Sequence, residues 1–366
     1  MDASGGERGC GGIGGVVKGF ALLEHLAFAG GLALLSAAVV RFMIGAGVMD
    51  TPDDRKVHTR PVPKGGGVGV VAAFLVGTGC LYLFAGFARI AEPYFLGVIF
   101  ASLAIAVVAF FDDVRDWPFT VKLGAQILAA GIAVASGIVV DVVHVPVWGD
   151  VPLGLLAAPA TIFWVLFATN AMNFIDGLNG LAAGVAVIAC AALAGISAEM
   201  GGWFVYFASL LLAAGLVGFL PFNFPRARIF MGDVGSQFCG FVLAVLGVIA
   251  GRFEQVPLSA LLVPMLLFGV LFDVAFTLAR RLVAGDRLTQ AHRSHLYQVA
   301  HRSGMDPVAV TLVHWGFAVW GAVCCGLFLQ ASGGGKPWAV LLVLPPQVVW
   351  VGVVWWLAGR ARLGRW

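Results

Sequence analysis

The sequence predicts an all-α polytopic integral membrane protein, and three observations predict it. Of the 366 residues, 60% are hydrophobic and only 11% are charged, where a soluble domain carries about 25% charge. The apolar residues fall into runs of roughly 20, the length that crosses a bilayer core at about 1.5 Å per residue. Lysine and arginine crowd the connections on one side of those runs, as they do at a cytoplasmic face. A mean hydropathy of +0.97 and 50 glycines agree, because glycine is commoner in membrane helices than in soluble ones.

Eleven spans are expected, near 20–46, 66–90, 94–112, 119–140, 155–172, 180–198, 203–221, 236–251, 257–279, 309–331 and 338–358. Their boundaries carry a margin of about four residues. The alanine-rich stretch 180–198 is the weakest of them. The first run is too long for a signal-peptide core and is read as a retained span. The expected organisation is a disordered extension over 1–19, one transmembrane catalytic domain over 20–358 and a basic cytoplasmic tail over 359–366.

Orientation follows from the basic residues. With the N-terminus outside, the inner connections hold Arg55, Lys56, Arg60, Lys64, Arg115, Lys122, Arg226, Arg228, Arg280, Arg281, Arg287, Arg293 and Arg302, and the tail holds Arg360, Arg362 and Arg365. The outer side keeps Arg8, Lys18, Arg89, Arg252 and Lys336. The C-terminus is therefore expected inside. A net charge of +3 is too small to argue for nucleic acid. Six cysteines show neither disulfide nor zinc spacing, and five of them sit in apolar runs as small core hydrophobes. On the outer side, Asp141 to Asp150 is expected to form a small hairpin without chemistry.

The informative polar sequence falls in five inner segments. The first is Asp53-Asp54-Arg55-Lys56-Val57-His58, followed by prolines and Gly65-Gly66-Gly67. A basic loop resting on anionic headgroups would also explain it. The second is Phe111-Asp112-Asp113-Val114-Arg115-Asp116, with Lys122 beyond it. Its carboxylates end a helix where the dipole is already negative, so a metal or a basic side chain such as Lys122 should offset them. The third, Asn170 to Gly180, contains Asn173, Asp176 and Asn179 within apolar sequence. A polar break of that kind at membrane depth should line a wet cavity or bind something. The fourth is Asn223, Arg226, Arg228 and then Phe230-Met231-Gly232-Asp233-Val234-Gly235-Ser236 at the start of a helix. Helix capping alone would account for Asp233 or Ser236, but not for the whole string. The fifth is Arg280 to Arg302, with His292-Arg293-Ser294-His295-Leu296-Tyr297-Gln298; Asp273, inside the preceding span, should face a polar interior.

Oxygen donors from Asp112, Asp113, Asn173 and Asp233 suit a hard cation, Mg²⁺ or Mn²⁺. Such an ion beside many arginines points to phosphate chemistry, in which catalysis is mostly positioning and charge neutralisation. The residues alone thus imply a membrane phosphotransfer enzyme. The competing class is a metal- or proton-coupled transporter, but transporters place their coupling acids near the midplane rather than at the inner helix ends.

Five segments in this order resemble the polyprenyl-phosphate N-acetylhexosamine-1-phosphate transferases, glycosyltransferase family 4. The matching strings are Asp54-Arg55-Lys56-x-His58, Phe111-Asp112-Asp113-x-x-Asp116, Asn170-x-x-Asn173-x-x-Asp176-Gly177-x-Asn179-Gly180, Asn223 with Ile229 to Ser236, and the histidine-bearing loop. Each string is weak alone; five in order between spans are specific. The resemblance implies transfer of a sugar-1-phosphate from a UDP-N-acetylhexosamine to a polyprenyl (undecaprenyl) phosphate, with UMP released. That reaction would open the assembly of a cell-surface glycan at a bacterial cytoplasmic membrane. It implies Asp233 and Asn173 as Mg²⁺ ligands, and Asp112 and Asp113 as the acidic pair at the reacting phosphates, one of them a base or a placing group. Phe230 would stack on uracil and Asn179 would read its edge, while Lys122, Arg293 and His295 would handle the pyrophosphate and sugar. Asn223, Asp176, His292, Asp54 and Lys56 complete the implied substrate-binding set, and a homodimer is the assembly considered. The fifth segment departs from the His-x-His-His of many members, because it reads His295-Leu296-Tyr297-Gln298. That pattern looks closer to the branch that initiates O-antigen and capsule, and it leaves the sugar open.

Overall fold

The computed structural model describes residues 10–50, 61–84, 92–115, 117–145, 149–252, 258–287, 290 and 292–364. Its helices are α1 (Cys10–Ala46), α2 (Gly67–Phe84), α3 (Glu92–Arg115), α4 (Phe119–Ala135), α5 (Ala157–Ile175), α6 (Leu181–Met200), α7 (Trp203–Asn223), α8 (Gly232–Ala250), α9 (Leu262–Leu266), α10 (Phe268–Val283), α11 (Leu296–Arg302), α12 (Pro307–Gln330), α13 (Lys336–Leu341) and α14 (Leu344–Arg360). Two antiparallel ribbons accompany them. β1 (Met49–Asp50) pairs with β2 (Val62–Pro63), and β3 (Val142–Val145) pairs with β4 (Gly149–Pro152) with Val143 opposite Val151. The second ribbon is the hairpin expected after Asp141.

Among the described residues, nine helices are long and apolar enough to cross a membrane. The two expected spans outside that set differ for physical reasons. Helix α4 has 17 residues, about 26 Å of helix, just short of a full crossing. The stretch expected at 257–279 divides at Leu267, whose backbone leaves helical geometry (φ −93°, ψ 8°), and α10 beyond it carries Asp273, Arg280 and Arg281. The weakest expected span, 180–198, forms the full 20-residue α6. Helix α1 begins ahead of the expected first boundary, at Cys10.

Helix α8 is the axis of the core. Every residue from Val234 to Ala250 is buried, as a helix apolar on all sides requires. It packs against α5, α3 and α2, while α7 binds α1, α2 and α6, and α12 lies on α6 and α9. Small residues permit the close approach. A Cβ on Gly240 would sit 2.8 Å from Thr169 Cα, and one on Gly235 would sit 2.7 Å from Gly67 Cα. Large side chains such as Leu34, Phe42, Phe163 and Trp355 point outward, which in a membrane is contact with lipid rather than an exposed patch.

Candidate active site

Backbone and side-chain bonds stitch four of the five polar segments together at one end of the bundle. The amides of Gly66 and Gly67 donate to the carbonyls of Phe230 and Met231 at 2.9 and 2.8 Å, and the Phe230 amide donates to Pro63 O at 2.8 Å. This ties the first segment to the fourth. Asn223 joins the third to the fourth: its Oδ1 accepts the Gly180 amide at 2.6 Å and its Nδ2 donates to Ile229 O at 3.0 Å. Asn179 Nδ2 donates to Pro225 O at 3.2 Å. Tyr297 Oη donates to Phe174 O at 2.9 Å and so brings in the fifth. Asp54, Lys56, His58 and Asp116 lie outside the described residues.

The second and fourth segments meet in an acidic cluster. Lys122 Nζ from the first turn of α4 lies 2.5 Å from Asp112 Oδ2 and 3.2 Å from Asp233 Oδ2. The ammonium thus bridges the end of α3 and the start of α8, supplying the cation that the α3 carboxylates need. Asp112 is fixed further by the Trp117 amide, which donates to its Oδ1 at 2.8 Å. It is 2% exposed, so this orientation is set by protein rather than by solvent.

Asp113 has a different setting. Its oxygens accept the amides of Asp233 and Val234 at 3.1 and 3.0 Å, two of the free donors that open α8. Met231, at the N-cap, contributes no side-chain cap, so Asp113 of α3 supplies it from across the interface. Gly232 makes the geometry possible. Its φ is +76°, and a Cβ there would lie 2.5 Å from Asp113 Oδ2. Lys64 Nζ stands 3.9 Å from Asp113 Oδ1.

Beneath Asp233 runs a chain of amides. Gln237 Nε2 donates to Asp233 Oδ2 at 3.1 Å, and Gln126 Nε2 donates to Gln237 Oε1 at 3.0 Å. Asn170 Nδ2 in turn donates to Gln126 Oε1 at 2.7 Å. Gln126 and Gln237 are 3% and 4% exposed. Because each amide can face only one way in this chain, the Gln237 N–H₂ is held toward Asp233. Asn173 Nδ2 donates to Ser236 Oγ at 3.3 Å, and its side-chain amide also hydrogen-bonds Asp233.

In the fifth segment, buried Asp273 holds the loop. Its Oδ1 accepts the Leu296 amide at 3.0 Å and lies 3.1 Å from His295 Nδ1, and its Oδ2 accepts the Tyr297 amide at 3.1 Å. A carboxylate at Nδ1 fixes the proton there and leaves Nε2 as the free face of His295. Gln298 Oε1 accepts the His295 amide at 3.3 Å, and Tyr297 is 1% exposed. The residues that depart from His-x-His-His are therefore engaged in bracing the loop. The His292 ring lies beside that of His295, tilted by 33° with 5.0 Å between centroids. Burial, then His295 and the Arg281 and Arg280 charges, push its pKa down to about 4. Asp176, just past the end of α5, is pushed well up by desolvation and by the charges of Asp233 and Asp113.

Of the residues singled out in sequence, Asp112, Asp113, Lys122, Asn173 and Asp233 come together. Asn223 and Asn179 brace the loops beside them, and Phe230 is anchored through its backbone. His292, Arg293 and His295 belong to the adjoining loop under Phe174, whose ring lies 5.7 Å from that of His295. Gln126 and Gln237 were missed. A signal existed: each lies four residues after a charged site residue, Lys122 and Asp233, as a polar intrusion on the same face of an apolar helix. For a hard cation, the oxygen-only donors of Asp233, Asn173 and Asp112 are chemically suitable. Mg²⁺ commonly takes one or two carboxylates together with water and substrate phosphates.

Comparison with known proteins identifies the family. Residues 95–251 match the model of glycosyl transferase family 4. A Bacillus subtilis protein named probable undecaprenyl-phosphate N-acetylglucosaminyl 1-phosphate transferase is 31% identical over 294 residues, 78% of this chain and 80% of that one. The decaprenyl-phosphate N-acetylglucosaminephosphotransferase of Mycobacterium tuberculosis is 31% identical over 326 residues, covering 80% and 79%. A phospho-N-acetylmuramoyl-pentapeptide-transferase of Leuconostoc citreum is 33% identical over 187 residues, but over only 48% of this chain and 56% of its own. With acids, lysine and amides assembled at one end of the bundle and relatives matched over most of its length, the chain belongs to glycosyl transferase family 4, the polyprenyl-phosphate N-acetylhexosamine-1-phosphate transferases.

Proposed function

We propose that the chain transfers N-acetylhexosamine-1-phosphate from a UDP-sugar to polyprenyl phosphate at the cytoplasmic side of a bacterial inner membrane, releasing UMP. The observation that carries this reading is the bridge of Lys122 between Asp112 and Asp233 beside the opening amides of α8. That is a preorganised mixture of acid, ammonium and helix dipole of the kind phosphoryl transfer needs.

In this reading a lipid phosphate oxygen attacks the sugar-bearing phosphorus, and the bridging oxygen leaves with UMP. A phosphate monoester has its second pKa at about 6, so at neutral pH its attacking oxygen is largely ionised. Asp112 then serves to place Lys122, and Lys122 steadies the negative charge that gathers as the phosphates meet. Asp233 and Asn173 would hold Mg²⁺, which when bound neutralises pyrophosphate charge; Asp113 would keep Asp233 in position by fixing α8. Phe230 and Asn179 would receive uracil, and Arg293, His292 and His295 would border the pyrophosphate and sugar. N-acetylglucosamine is the first sugar to test, since it appears in the names of the relatives matched over most of the chain. The Tyr297-Gln298 departure keeps 6-deoxy-N-acetylhexosamines of O-antigen and capsule initiation in the same panel.

The decisive experiment is one assay with purified protein, undecaprenyl phosphate, Mg²⁺ and labelled UDP-sugars. Lipid-linked sugar-phosphate and UMP should appear in equal amounts. Sugar transfer with UDP as the co-product would sink the reading.

A further inference from the structure

The helix ends that carry Asn173 and Asp233 are each held by a side chain from another polar segment. Asp113 takes the amides that open α8, and Tyr297 does the complementary service at the close of α5. Phe174 lies in the last turn of α5, where a carbonyl has no intrahelical partner. Tyr297 Oη donates to that carbonyl at 2.9 Å. Asn173 is the residue before it, and its side-chain amide bonds Ser236 Oγ at 3.3 Å and also Asp233.

Tyr297 can act as a strut because its other end is fixed. Its amide donates to Asp273 Oδ2 at 3.1 Å. Asp273 Oδ1 takes the Leu296 amide at 3.0 Å and the Thr277 hydroxyl at 3.2 Å. The Tyr297 ring stacks on that of His295 with 6.0 Å between centroids, and meets the His314 ring edge-on at 6.4 Å. Tyr297 and Asp273 are each 1% exposed, so their bonds do not compete with water. A continuous path therefore runs from α10, through α11, to the end of α5.

The space around the hydroxyl is matched to it. A Cβ on Gly177 would collide with Tyr297 Oη and stand 3.0 Å from its Cζ. A histidine, which many members of the family carry at this position, has no hydroxyl to offer the Phe174 carbonyl.

We propose that Tyr297 is a positioning residue of the metal site: it fixes the end of α5 so that Asn173 stays in register with Asp233, and it touches no substrate itself. The inference rests on the reading that Asp233 and Asn173 hold a divalent cation. A buried ring with its hydroxyl already committed suits a brace rather than a sugar contact.

The test is Mn²⁺ binding to the full chain in nanodiscs, without substrate, followed by loss of the free-ion EPR signal. Asp233→Ala should abolish the site. Tyr297→Phe removes one hydroxyl and keeps the ring. It should raise the Kd for Mn²⁺ by about 3–10-fold, below the roughly 10–100-fold cost of losing a direct outer partner of a metal ligand. Tyr297→His takes its place if that variant does not fold. 4-Aminophenylalanine replacing Tyr297 still donates an N–H and should restore the wild-type Kd. Gly177→Ala should weaken binding more in the wild-type background than in the Tyr297→Phe background, where the atom it strikes is gone. A wild-type Kd in the folded variant without the hydroxyl, or no recovery with the amine, overturns the proposal while Asp233→Ala still loses the ion. If Asp233→Ala binds Mn²⁺ as the wild type does, the metal reading itself fails and the proposal falls with it.

Discussion

Asp113 caps the helix that carries Asp233. The two carboxylates stand on different helices, and the cap runs through backbone: Asp113 accepts the amides of Asp233 and Val234 at 3.1 and 3.0 Å. Its neighbour Asp112 instead faces Lys122 at 2.5 Å. Adjacent residues on a helix point about 100° apart, and here that divergence separates a bracing carboxylate from one in the cluster.

The two acids should therefore fail differently. Asp113→Ala is expected to lower stability by about 1–2 kcal/mol, the scale of a lost N-cap, seen as a lower Tm in detergent. Asp112→Asn can still accept from the Trp117 amide, and it should lower kcat with a smaller effect on Tm. Equal Tm values for Asp113→Ala and wild type would remove the cap from the account.

Much of this was legible in the sequence because membrane helices announce themselves by length and polarity. The gathering of Asp112, Lys122, Asn173 and Asp233 at one end of the bundle followed from the order of the spans. What was not legible is how side chains divide their labour. Nothing in the order of Asp112 and Asp113 says which one faces α4 and which faces α8, since that depends on the rotation of α3 against its neighbours. Asn223 reads as a substrate-facing amide until the structure shows both of its ends on backbone. The break at Leu267 was hidden for a similar reason: hydropathy is a sum over a window, and it does not register one residue leaving helical geometry.

Metal dependence is the second expectation. Asp233→Ala should abolish turnover while the protein still inserts and elutes as the wild type does. EDTA should silence the wild type, with Mg²⁺ or Mn²⁺ restoring it. Full activity in chelator would remove the ion from the proposal.

The amide chain under Asp233 should matter without touching substrate. Gln237→Leu takes away the N–H that Asp233 Oδ2 accepts at 3.1 Å, and kcat should fall by about 10–100-fold, as for outer partners of metal ligands. Gln126→Leu should cost less alone. Because the two amides orient one another, the double variant should lose less than the product of the single losses. Strict multiplicativity would mean that the chain does not act as a unit.

Orientation can be read by labelling single cysteines with an impermeant maleimide. Gly333→Cys, before α13, should react from outside intact cells. Asp286→Cys, after α10, should react only after permeabilisation. The reverse pattern would put the acidic cluster on the wrong side for a cytoplasmic nucleotide sugar.

The last expectation concerns His292 and pH. Ser294 donates both its amide, at 3.4 Å, and its hydroxyl, at 2.9 Å, toward His292 Nδ1. An N–H can only donate, so Nδ1 is the acceptor and the ring carries its proton on Nε2. Protonating Nδ1 would break that contact and place a charge near Arg280 and Arg281, which agrees with a pKa pushed down to about 4 from an ordinary 6.5. Between those values the unfolded chain holds a proton on this ring and the folded chain does not. The stability that His292 contributes is thus fully present above about pH 6.5 and is lost as pH falls toward 4. His292→Gln should flatten that part of the stability profile relative to wild type. The imidazole Cε1 proton, followed by NMR, should move with a midpoint well below 6. A midpoint at or above 6.5 would mean that the ring is cationic near neutrality and that Ser294 does not set its tautomer.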